Sequence, residues 1–368
     1  MRRREFLAKA AAAGTVGALA SPAIAQSRPA IQWRMASSFP KSLDTLYGAA
    51  ELLVKRVAEV TEGRFQIRLF AAGEIVPGLQ VLDAVQNATV ECGHTAPYYY
   101  IGKDPAFAFA TALPFGLNAR QQNAWMYYGG GLDAMAPLFR QYGCIQFPAG
   151  NTGAQMGGWY RREIRSVADL KGLKMRIGGL GGQVLAKLGV VPQQIAGGEI
   201  YQALERGTID AVEWVGPYDD EKLGFHKVAR YYYYPGWWEG GPQLSVIVNL
   251  RKWEELPRPY QSALETACAE SNVHMLARYD AGNPAALKRL VAGGARLRVF
   301  PRPVLEACLE AANELYAELA AKSEHFRRIF ESWNRFRSEQ FLWFRVAESA
   351  YDEFVFSRAA PPAPKGGK

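Results

Sequence analysis

Cysteine is scarce in this chain. Cys92, Cys144, Cys268 and Cys308 lie far apart with no C-x-x-C pair, so no thiolate metal cluster can be built from them. One bridge is open to them in an oxidising compartment, but Cys92 falls in a strand pattern and Cys268 and Cys308 in helical ones. All four therefore read as buried thiols. Histidine is equally sparse, four residues in helical or loop settings, each read as structural. No H-E-x-x-H, G-x-S-x-G or Walker phosphate loop occurs, and the run Gly178–Gly182 misses the dinucleotide fingerprint because Val184 stands where its last glycine belongs. No nucleophile–base pair can be assembled, which argues against an enzyme. A basic block suited to nucleic acid is also missing. The formal net charge is +8, of which Arg2, Arg3, Arg4 and Lys9, less Glu5, supply +3, and the remainder reads as diffuse. Nucleic-acid binding is not expected. Apolar runs long enough to span a bilayer are lacking too; Ala10 to Ala20 is too short.

What is present begins with an address. Arg3-Arg4-Glu5-Phe6-Leu7 resembles a twin-arginine export pattern, and Ala23-Ile24-Ala25 is a small-x-small cleavage site, so residues 1–25 read as a leader to the periplasm. The 368 residues suffice for two lobes, and 49% apolar with 21% charged residues suits a soluble globular protein. Strand, helix and strand patterns alternate: Ile31–Ala36, a helix over Leu43–Val60, Phe65–Leu69, a short helix over Gly78–Asn87, then Ala88–Gly93. That order predicts an α/β lobe with a mainly parallel sheet. An internal echo follows, because Ala84–Glu91 matches Ala203–Asp210, each a helix end, a corner and a strand. It predicts two lobes of like topology whose strand ends face one cleft. The boundaries expected are lobe I over 26–150 with part of 241–270, and lobe II over 151–240. A helical bracing and dimerisation region follows over 251–357, with Gly282 and Pro284 suggesting a kink, and a loose tail over 358–368. Gly129–Gly131 and Ala149–Asn151 are expected to mark the passage between lobes. The last helix, Glu324 to Phe356, carries more aromatic surface than docking once requires.

The stretch Ser166–Gly182 holds the chemistry. From Leu173 to Ile177 apolar residues alternate with Lys174 and Arg176, which predicts a half-buried strand with Arg176 facing away from the core, just before a glycine-rich turn. An arginine there is a fork for a carboxylate, a contact of roughly 1.5–3 kcal/mol when shielded from water. Glu213 and Trp214 follow the strand Thr208–Val212, and Gln155 can add an amide oxygen. Carboxylate, amide and carbonyl oxygens suit sodium or calcium rather than zinc. The same residues read equally well as a plain Arg176–Glu213 salt bridge with Gln155 in a turn. Tyr231–Tyr234 reads as packing, with Trp238 and Glu239 able to wall a cleft.

The leader, D-L-K-G-L-K-M-R-I at Asp169–Ile177, A-L-x-x-G-T-I-D-A-V-E-W at Ala203–Trp214 and the segment Tyr231–Gly241 together resemble the solute-binding proteins of tripartite ATP-independent periplasmic (TRAP) transporters, DctP-type. The likeness runs from Trp33 to about Phe356, and Glu213-Trp214 with the aromatic last helix resembles the alpha-keto-acid-binding branch most. The resemblance implies a periplasmic receptor with two α/β lobes closing on a small organic anion, braced by a long helix, that serves TRAP membrane subunits and is not an enzyme. It implies that Arg176 pairs with the ligand carboxylate. A sodium ion beside a 2-oxo monocarboxylate would be held by Gln155, Glu213 and the carbonyl of Trp214. Glu239, with Gln155 and Trp214, would contact ligand, and Phe39, Tyr99 and Asn151 would wall the pocket. A homodimer formed by exchanging the last helix is implied as well. The alternatives are a lactate or other hydroxy-acid receptor using calcium and, in another class, a periplasmic enzyme acting on a carboxylate.

Overall fold

Stretches of alternating character become strands, and the runs between them close into helices. The computed structural model describes residues 29–358, so the leader read over 1–25 and the tail beyond Arg358 lie outside the described residues. The fold is that of the second of two units, over its described residues 31–358. Its strands are β1 (Ile31–Ser37), β2 (Phe65–Phe70), β3 (Cys92–Thr95), β4 (Cys144–Asn151), β5 (Trp159–Tyr160) and β6 (Lys174–Arg176). There follow β7 (Val191–Gln193), β8 (Ala211–Val212), β9 (Tyr231–Tyr234), β10 (Gln243–Asn249) and β11 (Arg296–Val299).

The first sheet runs β2-β1-β3-β10-β4, with β2, β1 and β3 parallel and β10 antiparallel to both neighbours. The second runs β7-β6-β8-β5-β9-β11, with β7, β6 and β8 parallel and β5 antiparallel to both neighbours. Strand for strand, β7-β6-β8-β5-β9 repeats β2-β1-β3-β10-β4. The echo in the sequence extends to hydrogen bonds. Thr89 and Val90 N–H donate to Ala84 O at 2.8 and 3.3 Å, and Thr208 and Ile209 N–H donate to Ala203 O at 3.0 and 3.3 Å. Both corners turn on a left-handed residue, Ala88 with φ 56° and Gly207 with φ 73°. Glycine takes that conformation freely, whereas alanine there is strained. The second sheet also gains β11, from a region expected to be helical, because a four-residue strand between two long helices is easily lost in helical text.

Passage between the sheets lies after Asn151, at 152–158, and the return is at 235–242. Gly129–Gly131 does not mark it, contrary to expectation. Those glycines form a corner between the helices Ala119–Tyr128 and Gly131–Gln141, where Gly130 adopts φ 82°. The two crossovers lie side by side. Gln155 N–H donates to Glu239 O (3.1 Å), Gly236 N–H to Gln155 O (3.0 Å) and Thr152 N–H to Pro242 O (3.1 Å).

A third connection is the helix Arg258–Ala292, 35 residues and so roughly 50 Å long. It packs on β4 and the helix Leu46–Val60 of the first lobe and on the helix Pro217–Leu223 of the second. The Ser271 hydroxyl lies 3.0 Å from the carbonyls of both Ala49 and Ala149. The helix runs unbroken through Gly282 and Pro284. Gly282 serves close approach, since a Cβ there would stand 2.9 Å from the Tyr218 ring. All four cysteines are free and buried. In the helix Glu324–Phe344, Phe326, Ile329 and Trp333 bury themselves in the chain's own core, with Phe326 and Trp333 5.0 and 5.9 Å from the Phe109 ring. From Phe341 onward most apolar residues are exposed, with Phe344, Ala347 and Val355 half-buried.

Candidate functional site

Arg176 ends β6 and is 0% exposed, while Lys174 on the same strand face is exposed. The half-buried strand expected here is therefore corrected. Alternation assigned Arg176 to the face opposite Met175, but at the C-terminal end of β6 that face is closed by other elements. Burial of a guanidinium requires partners. Its Nε donates to Ile195 O (3.2 Å), and its Nη1 donates to Glu213 O (2.9 Å) and to Glu213 Oε1. Its Nη2 has no partner. The guanidinium carbon also sits 4.8 Å from the Trp214 ring, a cation–π contact.

Glu213 leaves β8, the parallel neighbour of β6, so register alone places it beside Arg176. Its Oε1 also accepts from Gly178 N–H (2.9 Å), and its Oε2 is buried without a partner. The glycines around the pair make room for aromatic rings. A Cβ on Gly179 would lie 2.4 Å from Tyr98, and one on Gly197 would lie 2.5 Å from Trp214. Tyr98 was not foreseen from the sequence; its signal was the run Tyr98-Tyr99-Tyr100, in the turn Pro97–Tyr100 that follows β3.

From the first lobe, Phe39 and Tyr99 reach the same space, and the Tyr99 carbonyl accepts from Gln194 Nε2 of the second lobe at 2.9 Å. From the crossovers come Gln155 and Glu239. Gln155 Nε2 donates to Thr152 Oγ1 (3.1 Å), which leaves its Oε1 buried and unpartnered. Both carboxylate oxygens of Glu239 are likewise buried without a partner. A cavity of about 20 Å3 between the lobes is lined by Phe39, Tyr98, Tyr99, Gln155 and Trp214, with Thr111, Thr152 and Leu244 among its other walls. That volume admits water-sized molecules, so a larger ligand enters only as the lobes part. Arg176, Glu213 and Glu239 are buried behind this wall rather than lining it, and Asn151 does not line it either. Its Nδ2 donates to Gly241 O (3.0 Å) and its Oδ1 accepts from Gly153 N–H (2.9 Å), so its amide is spent on tying the crossovers.

Electrostatics in this space are those of buried charge. Burial first, then the neighbouring Glu213, pushes Glu239 well above the ordinary carboxylate range. Burial also raises Glu213, against the pull of Arg176 and Gly178 N–H. Burial opposes the charge on Arg176, yet Glu213, Tyr99, Tyr98 and Glu239 together outweigh it and keep the guanidinium charged. A protonated Glu239 would leave Arg176 and Glu213 to cancel. An incoming carboxylate alone would then leave one uncompensated negative charge, and a cation beside it would restore balance.

Among the described residues no group of three or more His, Cys, Asp or Glu side chains could hold a metal. A cation here would draw on mixed oxygens instead. Gln155 Oε1 and Glu213 Oε2, both buried and unpartnered, are hard donors suited to sodium or calcium. Away from the cavity wall, Asp44 of the first lobe gathers three partners. Its Oδ2 accepts from Tyr218 OH (3.1 Å) and from Arg278 Nη2 (2.6 Å), and its Oδ1 pairs with Lys222. Tyr218 and Lys222 belong to the second lobe and Arg278 to the long helix.

The model for bacterial extracellular solute-binding protein family 7, DctP, matches residues 36–323. A monocarboxylate 2-oxoacid-binding periplasmic protein from Nostoc is 56% identical over 363 residues, covering 97% of this chain and all of that protein. A TRAP transporter solute-binding protein from Bordetella bronchiseptica, a mixed-occupancy dimer with copurified calcium and picolinate, is 55% identical with a TM-score of 0.89 and coverage of 90% of this chain and 98% of its own. Another from Pseudoalteromonas atlantica, with bound sodium and pyruvate, is 42% identical with a TM-score of 0.85 and coverage of 88% and 98%.

Proposed function

The chain belongs to bacterial extracellular solute-binding protein family 7, receptors of TRAP transporters rather than enzymes, and from that premise we propose that it closes over a 2-oxo monocarboxylate together with sodium. The observation that carries this reading is the set of buried polar atoms without partners on residues beside the interlobe cavity: Gln155 Oε1 in its wall, and Arg176 Nη2, Glu213 Oε2 and both oxygens of Glu239 in a group whose members act electrostatically on one another and on the wall residue Tyr98. Buried polar groups are usually paired; other unpartnered atoms, such as Thr45 Oγ1, Gln146 Nε2 and Asn272 Oδ1, occur elsewhere among the described residues, so it is the grouping of charged ones around a guanidinium that supports a ligand's place. In this reading Arg176 receives the ligand carboxylate, and protonated Glu239 donates to a ligand oxygen. Phe39, Tyr98, Tyr99 and Trp214 exclude water and limit the side chain of the acid. Gln155, Glu213 and the carbonyl of Trp214 would hold the cation, which supplies a positive charge beside the ligand oxygens. Asn151 acts as a clamp on the crossovers rather than as a wall.

Calcium in place of sodium is the second reading, favoured by the Bordetella relative and by the same hard donors. The exposed residues Leu342, Trp343, Val346, Tyr351, Phe354 and Phe356 support a homodimer through the last helices. Export by the twin-arginine route is proposed on Arg3 and Arg4 alone.

The test is calorimetric titration of ligand-stripped protein with pyruvate and longer 2-oxo acids, with and without sodium, and with lactate plus calcium. Tight binding of a 2-oxo acid that weakens when sodium is withdrawn is expected. Binding of lactate with calcium and of no 2-oxo acid would overturn the ligand class.

A further inference from the structure

Positive charge, expected to be diffuse, gathers in one place. A concavity of about 550 Å3 is lined by Arg161, His226, Lys227, Arg230 and Arg296, with no acidic side chain among its walls. These side chains converge from three separate segments, at 161, 226–230 and 293–296, which is why no basic block appears in the sequence. Arg161 spends part of its guanidinium on the carbonyls of Leu204 and Glu205, and Arg296 lies 6.0 Å from the Tyr231 ring. Arg161, Lys227, Arg230 and Arg296 are all exposed, and none of the four makes an ion pair with a carboxylate of the described residues. Elsewhere on the surface carboxylates do pair with their basic neighbours, as Glu163 does with Arg165 and Arg298 and Glu221 does with Arg289.

The position is as informative as the charge. β6, β8 and β9 run in one direction and end at the cleft, in Arg176, Glu213 and the returning crossover. Arg230 precedes β9, Arg296 N–H donates to Arg230 O at 2.8 Å, and Arg161 follows the antiparallel β5. The concavity therefore lies at the end of the second sheet remote from the ligand. A partner seated there leaves the cleft unobstructed. When one lobe turns about the crossovers, the points far from them travel furthest, so the same partner senses opening and closing.

We propose that this concavity is a docking surface for a projecting acidic segment of the TRAP membrane subunits, a step that rests on the receptor reading. A bilayer is too flat to enter the concavity, and the lining offers no aromatic or long apolar side chain to insert among lipids. An acidic loop fits both the shape and the uncompensated charge.

The test is binding of the full-length receptor to its membrane subunits in nanodiscs, with nanodiscs of anionic phospholipid alone as control. Lys227→Glu, Arg230→Glu and Arg296→Glu together should weaken binding to the subunits at least tenfold. The milder triple change to Gln, which guards against misfolding, should weaken it about threefold. Rising salt should weaken the wild-type interaction and have little effect on the Glu variant. The pyruvate affinity of every variant should remain that of the wild type. Unchanged docking by a folded, pyruvate-binding variant would overturn the proposal, as would equal loss on lipid alone. Charge-dependent docking by a protein that binds no 2-oxo acid would uphold the surface while removing the ligand assignment.

Discussion

Truncating Arg176 to alanine would strip a fully buried glutamate of its guanidinium partner. Leaving such a charge alone costs about 3–5 kcal/mol, so the alanine variant confounds binding with folding. Arg176→Lys keeps the charge and loses the planar fork. It should lower ligand affinity at least tenfold, about 1.4 kcal/mol, with little change in Tm, as calorimetry and thermal melts would show. Affinity within a factor of three of wild type would remove Arg176 from the carboxylate contact. Asp220 makes a second residue-scale case. Its Oδ2 accepts from Tyr232 OH (2.7 Å) and Trp159 Nε1 (3.0 Å), and burial pushes its carboxyl up from 3.8 to about 7. Between those values the folded chain holds a proton that the unfolded chain has released. Its stabilising effect is thus complete below 3.8 and lost as pH rises through about 7, an effect on the order of 3–4 kcal/mol. Asp220→Asn should flatten the fall of Tm between about pH 4 and pH 8. A slope like that of the wild type would assign the titration elsewhere.

Elements carry the clearest correspondence between sequence and fold. The two corners 84–90 and 203–209 share their hydrogen bonds, but one turns on Ala88 and the other on Gly207. Ala88→Gly should relieve left-handed strain and stabilise by about 1 kcal/mol, or roughly 1–2 °C in Tm for a chain of this size. A lower Tm would mean that the added freedom of the unfolded chain outweighs the strain. The last helices give the opposite lesson. Alternation and composition revealed surplus aromatics from Phe326 to Phe344, yet only packing separates them. Phe326 and Trp333 lie buried against Phe109, whereas Trp343 and Val346 are 57% and 72% exposed. Ending the chain at Glu339 should therefore yield a folded monomer by light scattering. A dimer of that truncated chain would place the interface elsewhere.

At the scale of the molecule, closure is held partly by residues that touch no ligand. Asp44 joins the lobes through Tyr218 and Lys222 and joins the long helix through Arg278. Partly exposed pairs are worth about 0.2–1 kcal/mol each, so the trio shifts the open–closed equilibrium only modestly. Asp44→Ala should weaken ligand binding about three- to tenfold, chiefly by faster release, seen in stopped-flow dissociation. An unchanged dissociation rate would show that closure is set by the ligand contacts alone.

By itself the sequence determined the two α/β lobes, their internal repeat and the family motifs, and it offered the pairing of Arg176 with Glu213 as one of two readings. Each depends on neighbours along the chain, or on the alternation of strand and helix patterns that makes a parallel sheet. Tertiary structure decided the rest. It buried Arg176 completely, turned Asn151 from a pocket wall into a clamp and brought Tyr98 over Gly179. It also gathered the basic concavity from three segments and divided the last helices into a docked half and an exposed half. Those outcomes depend on which distant surfaces meet, and periodicity gives the face a side chain occupies without saying what will cover it.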